Sequence, residues 1–195
     1  MRRWCVGETG AGKSRLLHLW WEQWLVDHPT GRVVVLDLEE RLPAPTRGMH
    51  IVPDSRADMS AHGPHYEFVN EWCKALYEQA RGDGEPRLVV LDEADLAIRW
   101  GDAPPGLNAI VQRGRKENLG WMFATRRFVE IPPLLREQAS EMCLFNVDEP
   151  RAVRVAEQLG FDGAALRQLK VGEFYHRVRG QGAPHLHQGA LSACY

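Results

Sequence analysis

Residues 7 to 14 read Gly7-Glu8-Thr9-Gly10-Ala11-Gly12-Lys13-Ser14, and the spacing G-x-x-x-x-G-K-[ST] specifies a chemistry. A loop of this kind cradles the phosphates of a nucleoside triphosphate. Its glycines let the backbone curl until successive N–H groups converge on phosphate oxygens, at the positive end of the helix that begins near Lys13. The Lys13 ammonium then reaches the β- and γ-phosphates, and the Ser14 hydroxyl helps to hold Mg²⁺.

A second group of residues supplies what the loop lacks. Leu88-Val89-Val90-Leu91-Asp92-Glu93 is an apolar strand that ends in two carboxylates. At the carboxyl end of a parallel strand, Asp92 reaches the Mg²⁺ of the nucleotide through water. Glu93 follows where a carboxylate polarises an attacking water, a role that suits hydrolysis. Asp92-Glu93-Ala94-Asp95 also spells the DEAD box of RNA helicases, but those enzymes need two tandem lobes and this chain has room for one.

These residues need a sheet to position them. Trp4-Cys5-Val6 leads into the loop, and a helix over Ser14 to Asp27 follows, with apolar residues at Leu16, Leu17, Trp20, Trp21, Trp24 and Leu25. Val33 to Asp37 reads as a buried parallel strand and Met49 to Val52 as a weaker one, within the poorly legible stretch from 38 to 63. A helix is expected over Pro64 to Arg81, then the strand Leu88 to Leu91, a helix over Gly106 to Lys116 and a strand over Trp121 to Ala124. Met142 to Val147 reads as a further strand. Short helices over Glu149 to Leu159 and Gly163 to Leu169 precede a last strand at Glu173 to Val178. This alternation predicts an α/β domain, a mostly parallel sheet with helices on both faces, over residues 1–179. Residues 180–195 are expected to form a mobile tail, and neither His185 and His187 nor His62 and His65 are given a role.

With 195 residues, 44% of them hydrophobic, the chain can bury one substantial core. With six residues before the phosphate loop, no signal or transit peptide is expected, and no stretch is apolar enough to span a bilayer, so a soluble protein is expected. Cys5, Cys73, Cys143 and Cys194 show no C-x-x-C pair, which favours reduced thiols in a cytoplasm over a zinc site. A net charge of −2 excludes a uniformly basic protein, so any contact with nucleic acid is local. Basic residues concentrate from Arg113 through Arg115 and Lys116 to Arg126 and Arg127, and again through Arg167, Lys170, Arg177 and Arg179.

Gly120-Trp121-Met122-Phe123-Ala124-Thr125-Arg126-Arg127 is a strand ending in a polar cluster, placed to sense the γ-phosphate. With the preceding Arg113-Gly114-Arg115-Lys116-Glu117-Asn118-Leu119, it resembles the FtsK–HerA superfamily of ring-forming DNA pumps. In that superfamily an arginine-bearing helix leads into an apolar strand ending Ala-Thr-Gln-Arg. Leu169-Lys170-Val171-Gly172-Glu173-Phe174 resembles the turn into its last strand. The resemblance spans residues 4 to about 179, and Arg126 replaces the usual glutamine. An arginine does not accept a hydrogen bond from water, but it does contact phosphate.

The resemblance implies a single RecA-like P-loop domain that hydrolyses ATP with Mg²⁺ and forms a homo-oligomeric ring, a hexamer. Arg113 or Arg115 is implied as a finger acting on the neighbouring subunit's nucleotide, backed by Arg126 or Arg127, with Thr125 in the sensor. A bare motor domain is most similar to the genome-packaging ATPases of viruses with an internal membrane. That implies double-stranded DNA as the moving partner, capsid or portal-vertex proteins as further partners, and action in the host cytoplasm or on the virion. Three alternatives remain open from sequence: a small-molecule or nucleotide kinase, a filamentous-phage assembly ATPase, and a nucleotide-dependent adaptor, against which Glu93 argues.

Overall fold

The computed structural model describes residues 1–53, 65–98 and 102–188. His62, Pro64 and Cys194 lie outside the described residues. The strands are β1 (Arg2–Val6), β2 (Arg32–Asp37), β3 (Gly48–Ile51), β4 (Arg87–Asp92), β5 (Leu119–Thr125), β6 (Glu141–Leu144), β7 (Phe174–Val178) and β8 (His185–His187). They form one sheet in the order β3-β2-β4-β5-β1-β6-β7-β8, parallel from β3 to β6. The helices are α1 (Lys13–Asp27), α2 (Tyr66–Asp83), α3 (Pro105–Arg113), α4 (Pro133–Gln138), α5 (Pro150–Gln158) and α6 (Gly163–Leu166).

The unbroken apolar runs of β2, β4 and β5 are explained by burial on both sides. Alternate residues face opposite layers. Val33, Val35, Leu88, Val90 and Met122 pack with Leu17, Trp21 and Trp24 of α1. Val34, Leu36, Val89, Leu91, Trp121 and Phe123 face the larger core with Val69, Leu76, Leu107 and Ile110 of α2 and α3. Trp4, Trp121 and Phe123 meet edge-on or stacked in its centre, their ring centroids 4.7–5.7 Å apart. The single α/β domain expected from the alternation is the fold observed.

Two local readings are corrected and one further helix is added. The helix expected to run to Lys116 stops at Arg113 and tightens into a 3₁₀ turn over Gly114–Glu117, where a Cβ on Gly114 would stand 3.0 Å from that of Leu119. The proline-punctuated segment after β5 holds α4, with Pro133 in its first turn. At the far edge β7 and β8 are antiparallel, because the short connection from Arg179 to Pro184 closes a hairpin and is too short for a parallel crossover. Thus His185–His187, within the expected tail, is a strand. His187 gains a surface there, its ring stacking on Phe174 at 4.8 Å and 6°. No helix among the described residues is long and apolar enough to cross a membrane.

Candidate nucleotide site

Parallel strands direct their carboxyl ends to one edge of the sheet, and the loop between β1 and α1 opens there. Its shape is held from both sides. The Gly7 N–H donates to the Thr125 carbonyl at 3.2 Å and the Glu8 N–H to that of Asn146 at 3.1 Å, while the Gly172 N–H donates to the Ala11 carbonyl at 3.0 Å. Gly7 passes so close to β6 that an added Cβ would lie 2.6 Å from that of Phe145. Gly12, with φ +112°, turns the loop into α1 through the left-handed region that glycine enters without strain. Glu8, Thr9 and Gly10 are exposed on the rim of this loop.

Lys13 is buried, and its Nζ donates to the carbonyls of Gly7 at 2.9 Å and Glu8 at 3.1 Å, arching over the hollow of the loop. The Ser14 hydroxyl donates to Asp92 Oδ2 at 2.5 Å, and the other carboxylate oxygen, Oδ1, accepts the Glu93 N–H at 2.9 Å. Two residues 78 positions apart in the chain thus meet as a hydroxyl and a carboxylate. Both are hard oxygen donors, a set that fits Mg²⁺. Burial raises the Asp92 carboxyl, while the bonds from Ser14 and the Glu93 amide and the charge of Lys13 work in the opposite direction.

Glu93 sits at φ +50° and ψ +49°, a left-handed conformation that costs a side-chain-bearing residue roughly 1–3 kcal/mol. The bend turns its carboxylate away from the line of β4. Burial pushes Glu93 up to about 7, with Asp92 and Asp95 adding to the rise and Lys13 and Arg126 opposing it. A carboxylate tuned near neutral pH is suited to take a proton from water. Arg126 Nε lies 2.9 Å from Glu93 Oε2, and the same guanidinium stands 3.8 Å from Asp95 and 3.7 Å from Glu39.

Thr125, fully buried at the end of β5, donates its hydroxyl to Asp95 Oδ1 at 2.9 Å. The Arg126 N–H donates to the same oxygen at 3.1 Å. Arg127 is held by Glu130 at 3.1 Å. Arg113 ends α3 and Arg115 lies in the 3₁₀ turn that enters β5, so both stand at the amino edge of the sheet, opposite the loop. Within one chain they stand apart from this loop.

Three contributors escaped the sequence reading. Asp37 closes β2 as Asp92 closes β4, in register with it, and accepts from the Leu42 N–H at 2.7 Å and pairs with His50 at 3.0 Å. The shared pattern of an apolar strand ending in aspartate was the signal. Asp95 anchors both Thr125 and Arg126. The Asn146 side chain donates to the carbonyls of Arg167 and Leu169 at 3.3 and 3.1 Å, tying the turn before β7 to the phosphate loop. Nothing local in the sequence marks it.

No protein-family model and no curated protein sequence matches the chain. Solved structures do. The genome packaging NTPase B204 of Sulfolobus turreted icosahedral virus 2, solved with AMPPCP, is similar with a TM-score of 0.74 at 17% identity, over 95% of this chain and 96% of that one. VirB4 of Thermoanaerobacter pseudethanolicus has a TM-score of 0.71 at 11% identity, over 94% of this chain and 88% of its own. The cytoplasmic domain of the type VII secretion ATPase EccC of Thermomonospora curvata has a TM-score of 0.64 at 18% identity, over 95% of this chain and 25% of its own. At these identities the shared property is the fold, an α/β domain built on a mostly parallel sheet.

Proposed function

We propose that this chain is a Mg²⁺-dependent ATP hydrolase that assembles head to tail into a homo-oligomeric ring, a hexamer, and drives double-stranded DNA through its centre to package a viral genome. The observation that carries the hydrolytic part is the contact of Ser14 with Asp92 at 2.5 Å beside the phosphate loop, with Glu93 next in the chain. The packaging part is supported by the near-complete mutual coverage with a genome packaging NTPase. Capsid or portal-vertex proteins are its expected partners, in the host cytoplasm or on the virion.

In this reading Lys13 leaves the Gly7 and Glu8 carbonyls for the β- and γ-phosphate oxygens, while loop N–H groups hold the remaining oxygens. Ser14 and Asp92 would hold Mg²⁺, which would supply positive charge to offset that of the triphosphate. Glu93 takes the proton of the attacking water as its oxygen bonds to the γ-phosphorus and ADP departs. Arg126 exchanges its grip on Glu93 for the developing phosphate charge. Arg113 or Arg115, remote from its own loop, serves the adjoining subunit, which a closed head-to-tail ring allows.

The test is ATP turnover with and without double-stranded DNA, together with the mass in solution. A DNA-stimulated oligomer is the expected result. A monomer that phosphorylates a small acceptor would make the chain a kinase and overturn the proposal.

A further inference from the structure

At the amino edge of the sheet, opposite the nucleotide site, arginines from separate parts of the chain gather. Ser140 joins two of them. Its N–H and hydroxyl both donate to the Arg2 carbonyl at 2.9 Å, and its own carbonyl accepts the Arg179 N–H at 2.8 Å. Arg177 pairs in register with Met142 on β6 and, by the two-residue period, projects on the same face of β7 as Arg179. A cavity of about 140 Å³ opens there between Arg136, Arg177, Arg179 and Ser140. Ser140 also borders a larger cavity of about 370 Å³ that runs past Arg2 to Arg115. The two share Ser140 as a wall, the smaller opening beside Met142 and Leu159 and the larger beside Trp24 of α1, and together they make up the furrow.

Among the described residues these charges are not neutralised. Arg2 bonds Gln138 at 3.3 Å, and the Arg179 guanidinium bonds the Glu137 carbonyl, but neither these two nor Arg177 has a carboxylate within ion-pair distance among the described residues. Glu141, which borders the furrow, is already held by Arg3 at 2.9 Å and His176 at 3.0 Å. Arg115 and Arg179 both press on Arg2 by like charge. Self-repulsion of this kind is relieved by an external polyanion, and a row of guanidinium groups with open donors matches phosphodiester oxygens.

We propose that this furrow, centred on Arg2, Arg177 and Arg179, is a backbone-contact surface for double-stranded DNA. The inference rests on the DNA-moving function proposed above and adds where the duplex is held. It places the duplex on the edge of the domain away from its own nucleotide loop, at Arg2, Arg177 and Arg179, none of which is assigned to the triphosphate. Contact of this kind grips phosphates irrespective of sequence, as a protein that moves along DNA requires.

The experiment is binding of a fluorescent DNA duplex of mixed sequence by the full chain across a range of salt concentrations. It compares the parent, Arg177→Gln/Arg179→Gln and Arg177→Lys/Arg179→Lys, each with DNA-free ATP turnover and mass in solution. The glutamine pair is expected to weaken binding by about 10-fold or more and to lower the slope of log K against log salt by roughly one per lost contact. The lysine pair keeps the charge, so its slope should stay near the parent's, and DNA-free turnover should be unchanged in both. If the glutamine pair does not fold, the single substitutions Arg177→Gln and Arg179→Gln are read against the same expectation. Parental affinity and slope in the glutamine variants would overturn the inference and leave the DNA reading standing. Loss of oligomer mass with unaltered DNA affinity would make the furrow a contact between copies, and also overturn it. A parent that hydrolyses ATP but binds no duplex at low salt would remove the DNA reading itself, and this surface with it.

Discussion

Arg126 Nε lies 2.9 Å from Glu93 Oε2, so the residue standing where the FtsK–HerA pattern has glutamine is paired with the carboxylate that follows the acidic strand. Glu93 itself stands in a left-handed conformation that a side-chain-bearing residue disfavours. Arg126→Ala is expected to lower ATP turnover by ~10-fold or more with little change in KM, since both the orientation of Glu93 and a cation for the transition state are lost. Steady-state kinetics measure it. A rise in turnover instead would mark Arg126 as a brake on Glu93.

Lys13 makes its contacts through one ammonium group, on the Gly7 and Glu8 carbonyls. Lys13→Ala should therefore abolish most triphosphate binding or turnover, while leaving the fold intact, as read by circular dichroism and nucleotide titration. A folded variant with parental hydrolysis would refute the phosphate-loop assignment.

Asp92 and Glu93 are adjacent but should fail differently. Glu93→Gln keeps the shape and removes the base, so nucleotide binding persists while hydrolysis falls by ~10²-fold or more. Asp92→Asn should weaken Mg²⁺-dependent binding, because the carboxylate held by Ser14 loses its charge. Isothermal titration at several Mg²⁺ concentrations separates the two outcomes.

Arg113 and Arg115 stand at the amino edge, away from the loop of their own chain. Substitution of the acting arginine by alanine or lysine should depress turnover on the order of 10³-fold and spare nucleotide binding. Mixing an Arg→Ala protein with a Glu93→Gln protein should restore part of the activity, since an intact Glu93 then faces an intact arginine. Mixed rings that stay inactive would exclude action between subunits.

Glu141 gives a pH test independent of catalysis. Burial pushes its carboxyl up, but the bonds from His176 and Arg3 outweigh this and hold it below its ordinary value. A carboxyl lowered by folding contributes stability above its unfolded value, and that contribution is lost as pH falls through the folded value. Relative to Glu141→Gln, the parent should be more stable by about 1 kcal/mol near neutral pH, and the difference should vanish in acid below the ordinary glutamate range. Denaturant unfolding of both proteins from pH 7 down to pH 3 measures it. A gap that persists unchanged in acid would refute the ion-pair account.

The chain's local order already determined much of this protein. A phosphate loop needs eight consecutive residues, and the apolar runs Val33–Leu36 and Leu88–Leu91 needed burial on both faces whatever their neighbours were. Lys13, Ser14, Asp92 and Glu93 could be read for the same reason, since each stands at a fixed offset from the end of a strand. Where those strands lie relative to one another was decided by tertiary structure alone. Register between β4 and β5 brings Arg126 to Glu93 and Asp95 to Thr125, and the order of strands sets Arg113 and Arg115 on the far edge while gathering Arg2, Arg177 and Arg179 into one furrow. The edge hairpin of β7 and β8 was hidden because His185–His187 has no apolar pattern of its own and is held by backbone pairing and the ring of Phe174. Local offsets constrain the backbone within a few residues, whereas pairings across more than a hundred residues depend on which strands the core brings side by side.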